Sequence, residues 1–392
     1  MTTDDGHQPQ DSPPEAGDRP TVRAGFMPLI DAAVLIVARE RGFAAAEGLD
    51  LVLARETSWA NIRDRLLVGH FDVAHMLAPM PIAAKLGIGH VRMPMIAPYV
   101  LALGGNSIAV SQPVWEAMCL AHGDEPAGPG DTSRAVAAVA RSRRAAGAEP
   151  LTFAMTYPFS GHNYELRYWL AAGGLDPDVD VRLVVIPPPY MVDAMVAGQI
   201  DGMCVGAPWP SLAVENGIGR TVTTKAEIWK ASPDKVLAAR AAWAETHPRL
   251  IDALIRACEA ATRWCADPAH HLDLADLLAR PAYVGVPAEI IHRALTGRLK
   301  VAASGQWVDF PDYLQFPTDG GTAPATRHAL WFAAQMLRWG QVPNAAEAYA
   351  AAHAVTRPDI WARALGRELP VPRLAPVDGE FFDGTAFDAR DL

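Results

Sequence analysis

Few side chains in this sequence have the type and spacing that catalysis or metal binding requires. His270-His271 is the only adjacent histidine pair, and neighbouring residues of a helix point in different directions, so the pair is a poor metal site. The chain contains no G-x-S-x-G, H-E-x-x-H, P-loop or G-x-G-x-x-G motif. We therefore expect no catalytic residue, no metal and no cofactor. The chemistry is expected to lie in non-covalent binding.

Composition further limits the kinds of ligand that the chain is expected to bind. The chain has 392 residues, of which 50% are hydrophobic, enough for a large core and two lobes. Its net charge is −10 and it has no long run of Lys or Arg, so direct contact with nucleic acid is not expected. An acidic chain that binds an anion must hold it in a local, preorganised pocket, because its overall field repels the anion.

The first twenty residues and the cysteines bear on the compartment. Residues 1–20 carry five acidic residues and one basic residue and contain no apolar signal region, so we expect a disordered tail and no export signal. No run of 18 apolar residues occurs, so no membrane span is expected. We predict a cytoplasmic protein. Its cysteines lack C-x-x-C spacing and are expected to be reduced thiols: Cys119, Cys204, Cys258 and Cys265.

Strands alternate with helices, which is typical of βαβ units and parallel sheets. A polar loop over 123–132 is predicted to lead into a second lobe, and a strand over 221–223 to return to the first. From residue 241 onward the chain reads as helical with core tryptophans (Trp243, Trp264, Trp331, Trp339), and after Pro370 as a tail that lies along the surface. We predict strands over 22–26, 48–54, 71–74, 101–111, 151–155, 181–186 and 200–205, and helices over 32–41, 59–69, 162–172 and 191–197.

Several sequence blocks follow one another in an order that resembles a known family. They are 57–64 (TSWANIRD), 75–81 (HMLAPMP), 162–174 (HNYELRYWLAAGG), 204–209 (CVGAPW) and 229–235 (WKASPDK), with weaker similarity at 339–341 (WGQ). The chain resembles the nitrate- and bicarbonate-binding proteins of bacterial ABC uptake systems, and their cytoplasmic relatives, the nitrate/nitrite sensors, over about residues 21–385.

The resemblance implies an α/β fold that is two-lobed and periplasmic-binding-protein-like (type II), with a ligand cleft between the lobes. We expect a first lobe of residues 21–110 plus 225–392 and a second lobe of residues 111–224. It also implies ligand-binding residues at Trp59, Asn106, His162 and Lys235. Supporting positions in the cleft are Gly105, Gly161, Pro208 and Trp209.

The four residue types suit a planar monoanion that accepts hydrogen bonds and has no proton to donate. Trp59 and Asn106 offer N–H donors, His162 donates from one nitrogen or from both when charged, and Lys235 supplies the compensating cation. Backbone N–H groups near Gly105 and Gly161 are expected to add donors at helix N-termini. Each residue also has a plain structural interpretation: interlobe packing for Trp59, a helix cap for His162, a turn for Asn106 and a solvated charge for Lys235.

Two departures from the uptake proteins stand out. Asn106 occupies a position where Gln is common, and Ala207 stands where the uptake proteins commonly carry Glu in a G-E-P-W block. Bicarbonate carries an O–H group and needs an acceptor, so a site of donors alone is expected to prefer nitrate or nitrite.

The predicted function is nitrate/nitrite sensing in the cytoplasm. The resemblance implies a partner, a response-regulator-like antiterminator that binds leader RNA and is released by the anion. Two alternatives stay open. One is the nitrate-binding component of an ABC uptake system, and the other is an enzyme on the same fold, of the thiamine-pyrimidine or menaquinone-pathway type.

Overall fold

The computed structural model describes residues 19–391. The predicted disordered tail over 1–20 lies outside these residues, apart from its last two. Within the described range the chain forms two α/β lobes, each built around one sheet, with a set of helices in the C-terminal part.

The elements follow in chain order. The first segment contains β1 (Thr21–Phe26), α1 (Ala33–Glu40), α2 (Phe43–Ala46), β2 (Asp50–Arg55), α3 (Trp59–Leu67), β3 (Val73–Leu77), α4 (Met80–Leu86) and β4 (Met95–Gly104). The second contains β5 (Asn106–Ser111), α5 (Gln112–His122), α6 (Gly128–Ala145), β6 (Thr152–Met155), α7 (Gly161–Ala172), β7 (Arg182–Val185), α8 (Met191–Val196), β8 (Gly202–Gly206), α9 (Trp209–Glu215), β9 (Gly219–Thr224) and α10 (Lys225–Ile228). The third contains β10 (Pro233–Arg240), α11 (Ala241–Thr246), α12 (Pro248–Ala266), α13 (His271–Leu278), α14 (Ala288–Thr296), β11 (Arg298–Lys300), β12 (Trp307–Asp309), β13 (Leu314–Gln315), α15 (Thr326–Arg338), α16 (Ala345–Val355) and α17 (Pro358–Leu365).

The sheet of the first lobe has the strand order β13-β4-β10-β3-β1-β2. β1 pairs in parallel with β2 and β3, whereas β10 runs antiparallel to β3 and β4. The sheet of the second lobe has the order β7-β6-β8-β5-β9, with β6 parallel to its neighbours and β5 antiparallel to its own. Every residue of β3 and β8 is buried, as expected for strands covered on both faces.

The chain passes between the lobes at two points, and both differ from the prediction. The strand predicted over 101–111 is two strands, because β4 ends at Gly104 and β5 already belongs to the second sheet. Gly104 and Gly105 have φ of 68° and 83°, and a Cβ on Gly104 would collide with the carbonyl of Tyr313, so glycine is required at this crossing. The predicted lobe boundary at residue 110 therefore lies too far along the chain.

The remaining boundary differences have local causes. The loop predicted over 123–132 ends early, because α6 begins at Gly128, and it lies within the second lobe. The strand predicted over 221–223 is β9, which stays in the second sheet, and the return to the first sheet is made by β10. The helices predicted over 59–69 and 162–172 are confirmed as α3 and α7.

The C-terminal part is largely helical, as predicted. Trp243 and Trp331 are buried in the core, and Trp264 and Trp339 are partly buried against it. The tail after residue 370 is anchored more firmly than a surface segment, because Glu380 forms a buried ion pair with Arg327. Among the residues that the structure describes, no helix combines the length and the apolar character needed to cross a membrane.

Candidate functional site

A cluster of buried polar side chains lies where the two lobes meet. The first lobe contributes Asp31 from a short 3-10 helix (Ile30–Ala32), Trp59 from α3, His75 from β3, and Asp234 and Lys235 from β10. The second lobe contributes Asn106 from β5, His162 and Glu165 from α7, and Lys225 from α10. All are at most 2% exposed: Asp31, Trp59, His75, Asn106, His162, Glu165, Lys225, Asp234 and Lys235.

Trp59 is the first residue of α3, placed there by Ser58, whose side chain accepts a hydrogen bond from the Asn61 backbone N–H and caps the helix. Its ring lies 5.4 Å from the His75 ring, centroid to centroid, and 5.6 Å from Lys235 Nζ. Its indole Nε1 has no hydrogen-bond partner within residues 19–391. A buried indole N–H usually finds a partner, so packing alone does not account for this side chain.

Lys235 is fully buried, which excludes the interpretation as a solvated charge. Its Nζ lies 2.9 Å from Asp31 Oδ2 and pairs with Asp234. Burial acts to lower the pKa of Lys235, but the two carboxylates outweigh it and raise that pKa. The ammonium group is therefore charged at neutral pH.

His162 lies one turn before Glu165 on α7, and the cap of that helix is Ser160, whose side chain accepts from the Asn163 N–H. The interpretation of His162 as the helix cap is thus wrong. Its Nδ1 lies 3.1 Å from the Thr156 hydroxyl, whereas its Nε2 is unpartnered in the described part of the chain. Burial lowers the pKa of His162 to about 3, so the ring is neutral and donates from one nitrogen, not from both.

Asn106 is not a turn residue but the first residue of β5. Its side-chain Nδ2 donates to Asp234 Oδ1 at 2.9 Å and to Glu165 Oε2 at 3.2 Å. The amide therefore connects a carboxylate of each lobe, and its N–H groups are already engaged within the cluster.

Of the supporting positions, Gly105 and Gly161 adjoin members of the cluster, and Pro208 and Trp209 follow β8, which pairs with β5 at Asn106. The Gly105 N–H donates to the Tyr313 carbonyl, so the predicted donor at a helix N-terminus is wrong there: Gly105 links two strands and its N–H is occupied. Gly161 is the first residue of α7, and a Cβ there would come within 3.1 Å of Lys225 Nζ. Pro208 and Trp209 lie at the start of α9, and the Trp209 Nε1 finds no hydrogen-bond partner among residues 19–391.

Sequence reasoning missed five members of the cluster: Asp31, His75, Glu165, Lys225 and Asp234. Three of them lie inside the blocks that carry the family resemblance, and Glu165 follows His162 by three positions on one helix face. That spacing was a usable signal. Asp31 and Lys225 lie outside the blocks, and only tertiary contacts bring them to the site.

The carboxylates contradict the expectation of a site made of donors alone. Lys225 Nζ lies 2.5 Å from Glu165 Oε1 and 3.3 Å from Asp234 Oδ1, so both lysines are already paired. The His75 Nδ1 accepts from the Met27 N–H at 3.4 Å, which leaves the ring proton on Nε2, 2.9 Å from Asp31 Oδ1.

Burial and ion pairing shift the acids in opposite directions. Burial acts to raise the pKa of Asp234, but the charges of Lys235 and Lys225 outweigh it and hold that pKa well below its usual range. The pKa of Asp31 is lowered in the same way, by Lys235 and His75. For Glu165 burial outweighs the attraction of Lys225 and raises the pKa.

The cluster combines buried N–H groups with two ammonium groups, both of which are paired with carboxylates. Trp59, Trp209 and His162 carry nitrogen atoms whose hydrogen bonding is incomplete within the described residues. The predicted residues Trp59, Asn106, His162 and Lys235 thus come together in one cluster, and their contact with an anion stays a prediction.

Comparison of the sequence with known proteins assigns the chain to a family. Residues 15–279 match the model of the NMT1-like family. The chain is 36% identical to the nitrate/nitrite binding protein NrtA of Synechococcus elongatus, covering all of this chain and 89% of that protein. It is 31% identical to the bicarbonate-binding protein CmpA of the same species, covering 94% of this chain and 84% of that protein.

A solved structure agrees with the sequence relatives. The crystal structure of the periplasmic nitrate-binding protein NrtA from Synechocystis PCC 6803 superimposes with a TM-score of 0.86 at 29% identity, covering 95% of this chain and 97% of that one. The predicted two-lobed, periplasmic-binding-protein-like fold is confirmed. The chain belongs to the NMT1-like family and has substrate-binding proteins for nitrate/nitrite and for bicarbonate among its relatives.

Proposed function

We propose that this chain is a binding protein for nitrate or nitrite and that the anion occupies the buried cluster between the lobes. The observation that carries the proposal is the indole N–H of Trp59, buried without a hydrogen-bond partner in residues 19–391 and next to the Lys235 ammonium. Nitrate is a planar monoanion whose oxygens accept hydrogen bonds, and a buried N–H beside a cation matches that chemistry. The names of the NrtA relatives support the same ligand.

The choice between nitrate and bicarbonate depends on how the carboxylates are engaged. Bicarbonate donates one hydrogen bond and needs a free acceptor, and CmpA shows that the family includes a bicarbonate-binding relative. Asp31, Asp234 and Glu165 all accept contacts from lysines or from Asn106. The Asn106 Oδ1, however, has no hydrogen-bond partner within residues 19–391, so the cluster also holds an acceptor. The preference for nitrate or nitrite therefore rests on the names of the NrtA relatives.

Isothermal titration with nitrate, nitrite, bicarbonate and sulfate tests the proposal. We expect saturable heats for nitrate and nitrite and much weaker binding of the other two. Tight binding of bicarbonate with none of nitrate would contradict the assignment.

Replacement of Trp59 tests the site itself. Trp59→Phe keeps an aromatic ring and removes the donor, so nitrate affinity should fall by about 10- to 150-fold, the effect of losing a hydrogen bond to a charged group. Trp243→Phe is the matched control, because Trp243 is a buried tryptophan of α11 outside the cluster. Equal nitrate affinity in both variants would remove the Trp59 N–H from the site.

The chain has two candidate functions once it has bound the anion. Delivery to an ABC uptake system is supported by the relatives, which include nitrate/nitrite- and bicarbonate-binding proteins, and is the better supported of the two. Its test is reconstitution: the chain should stimulate nitrate-dependent ATP hydrolysis by a nitrate transporter in proteoliposomes. Absence of stimulation at saturating chain and nitrate would contradict delivery.

The second candidate is a cytoplasmic nitrate/nitrite sensor that controls an RNA-binding antiterminator partner. It rests on the resemblance drawn from the sequence alone, in which Ala207 stands at the position of the Glu common in uptake proteins. Contacts that join the lobes, such as Arg63 to the Tyr157 hydroxyl at 2.6 Å, would change when the cleft opens, so a partner could distinguish the two states.

To shift the partner from mostly bound to mostly free, the anion must bind one state of the chain about 10⁴-fold more tightly than the other. Size-exclusion chromatography of the co-expressed pair tests this. The complex should dissociate with nitrate or nitrite and persist in chloride at equal ionic strength. A complex that ignores nitrate would contradict the sensor and leave the binding protein.

A further inference from the structure

The cluster already carries more negative than positive charge when all its acids are ionised, and this excess opposes the binding of an anion. Two ammonium groups, on Lys225 and Lys235, face the three carboxylates of Asp31, Glu165 and Asp234, and all five side chains are at most 2% exposed. With every acid ionised and the histidines neutral, the cluster has one more negative charge than positive. A buried monoanion would double that excess, and uncompensated charge in a low-dielectric interior is strongly unfavourable.

Glu165 lies at the centre of this imbalance. Its Oε1 is 2.5 Å from Lys225 Nζ and its Oε2 accepts from Asn106 Nδ2 at 3.2 Å. A Cβ on Gly161 would lie 2.9 Å from Oε1, so the helix backbone closes one side of the carboxylate. Among residues 19–391 no group of three or more His, Cys, Asp or Glu side chains is arranged to hold a metal ion, whereas a proton needs only one carboxylate oxygen.

The titratable groups around Glu165 come from several elements. Lys225 on α10 and Asp234 on β10 face it directly across the cluster. Cys204 on β8 lies near it, and burial followed by the charge of Glu165 raises the pKa of that thiol, so the thiol is neutral. His162 lies one turn earlier on α7 and is neutral at physiological pH because burial lowers its pKa to about 3.

The acids differ in how readily they accept a proton. Asp234 pairs with both lysines, and Asp31 pairs with Lys235 and lies next to His75. Glu165 pairs with Lys225 alone among the cationic groups of the described chain, and its pKa is raised by burial while the pKa values of the two aspartates are lowered. Of the three, Glu165 is the carboxyl group that protonates with least loss of ion pairing.

We propose that the cleft takes up one proton together with each bound anion and that Glu165 receives it. The inference rests on the proposed nitrate or nitrite binding. The proton comes from solvent and adds to a carboxylate oxygen of Glu165, so no other bond changes. Neutral Glu165 no longer competes for Lys225, and the negative charge that Glu165 loses offsets the charge of the anion, so the excess of negative charge stays at one.

Proton uptake is counted directly by titrating nitrate into the chain in two buffers of different ionisation enthalpy at the same pH. At pH values where Glu165 is ionised in the nitrate-free chain, we expect close to one proton per nitrate. By linkage, nitrate affinity should then rise about tenfold for each unit that pH falls. Nitrate binding without proton uptake, or binding that depends on added calcium instead of pH, would overturn the inference and leave the proposed function intact.

Two variants locate the proton. Glu165→Gln keeps an oxygen acceptor of the same size and removes the titrating group, so its nitrate affinity should no longer depend on pH and its proton count should fall to zero. Glu116→Gln, an exposed carboxylate on α5 that contacts Gln112, is the control and should keep the wild-type count. Uptake that persists in Glu165→Gln would assign the proton to another group.

The outcomes separate the two proposals. Absence of any nitrate heat at all pH values would remove the proposed function, and this inference with it. If Glu165→Gln does not fold by circular dichroism, the proton count of the unmodified chain still decides whether uptake occurs.

Discussion

Each buried lysine of the cluster is held by carboxylates from more than one element. Lys235 on β10 pairs with Asp31 from the short 3-10 helix after β1 and with its neighbour Asp234. Lys225 on α10 pairs with Glu165 on α7 and with Asp234 on β10. A buried ion pair adds little net stability when intact, but removal of one partner leaves a buried charge without compensation. The candidate binding residues are therefore also structural, and variants must be chosen accordingly.

Lys235→Ala is expected to destabilise the fold as well as the site. The substitution leaves Asp31 and part of Asp234 uncompensated in the interior, so the free energy of unfolding should fall by about 3–5 kcal/mol. Urea unfolding followed by circular dichroism in nitrate-free buffer measures it.

Lys230→Ala is the matched control for that prediction, because Lys230 lies on the neighbouring turn and is exposed. Its free energy of unfolding should stay within about 0.5 kcal/mol of wild type. If Lys235→Ala proves as stable as Lys230→Ala, the ion pairs around Lys235 do not carry the structural role assigned to them.

The sequence supports part of this site at the level of single residues. Trp59, His162 and Lys235 were predictable as members of one cluster because each lies in a block with specific resemblance, and their contact with an anion stays a prediction. Asp31 and Lys225 were not, since an acidic residue after a strand and a lysine at a helix start are common surface features. Only the tertiary structure shows that both are buried.

The start of α7 is the element on which the second lobe's share of the cluster depends. Ser160 caps the helix by accepting from the Asn163 N–H at 3.0 Å, and it also donates to the Tyr157 carbonyl at 2.6 Å. The cap fixes the first turn, which carries His162 and leads to Glu165. Loss of the cap should therefore affect both stability and binding.

Ser160→Ala should lower the free energy of unfolding by about 1 kcal/mol, the usual cost of a lost N-cap, and should weaken nitrate binding measurably. The control is Ser111→Ala at the N-cap of α5, whose side chain makes no capping bond among the described residues. Denaturant unfolding and nitrate titration of both variants give the comparison. Equal behaviour would show that the Ser160 cap does not position the α7 residues.

Helices with regular patterns were predicted well, whereas the strand that carries Asp234 and Lys235 was not predicted. The helices α3 and α7 have clear caps and periodicity, and the sequence analysis predicted both. β10, which lies inside the first sheet, begins with Pro233, Asp234 and Lys235, a polar start that argues against a buried strand by pattern alone. Its burial makes sense only with the opposite charges of Asp31, which pairs with Lys235, and of Lys225, which pairs with Asp234.

At the scale of the whole molecule, contacts beyond the cluster join distant parts of the chain. Glu380 of the C-terminal tail pairs with Arg327 on α15 and accepts from the Trp229 Nε1 at 2.8 Å. On α7, the Tyr168 hydroxyl donates to Asp383 of the same tail at 2.9 Å. The tail thus contacts elements of both lobes, and unfolding is expected to be cooperative over the whole described chain.

Two buried histidines are expected to make the stability of the folded chain depend on pH in the acidic range. Burial lowers the pKa of His162 to about 3 and lowers the pKa of His75 despite its contact with Asp31, whereas an unfolded histidine titrates near pH 6.5. Below about pH 6.5 the unfolded state binds protons that the folded state does not, so stability falls as pH falls. The raised pKa of Glu165 acts in the opposite sense, since it removes stability as pH rises through the folded value.

We therefore predict that the free energy of unfolding in nitrate-free buffer decreases between about pH 6 and pH 4.5, with each of these histidines contributing up to about 1.4 kcal/mol per pH unit. His162→Gln removes one of these groups and should make the dependence shallower by that amount. His353→Gln, which replaces an exposed imidazole on α16, should leave the slope of the wild type. Denaturant unfolding at a series of pH values measures all three chains. A slope unchanged by His162→Gln would mean that His162 accepts a proton in the folded state, and the neutral ring assigned to the cleft would then be wrong.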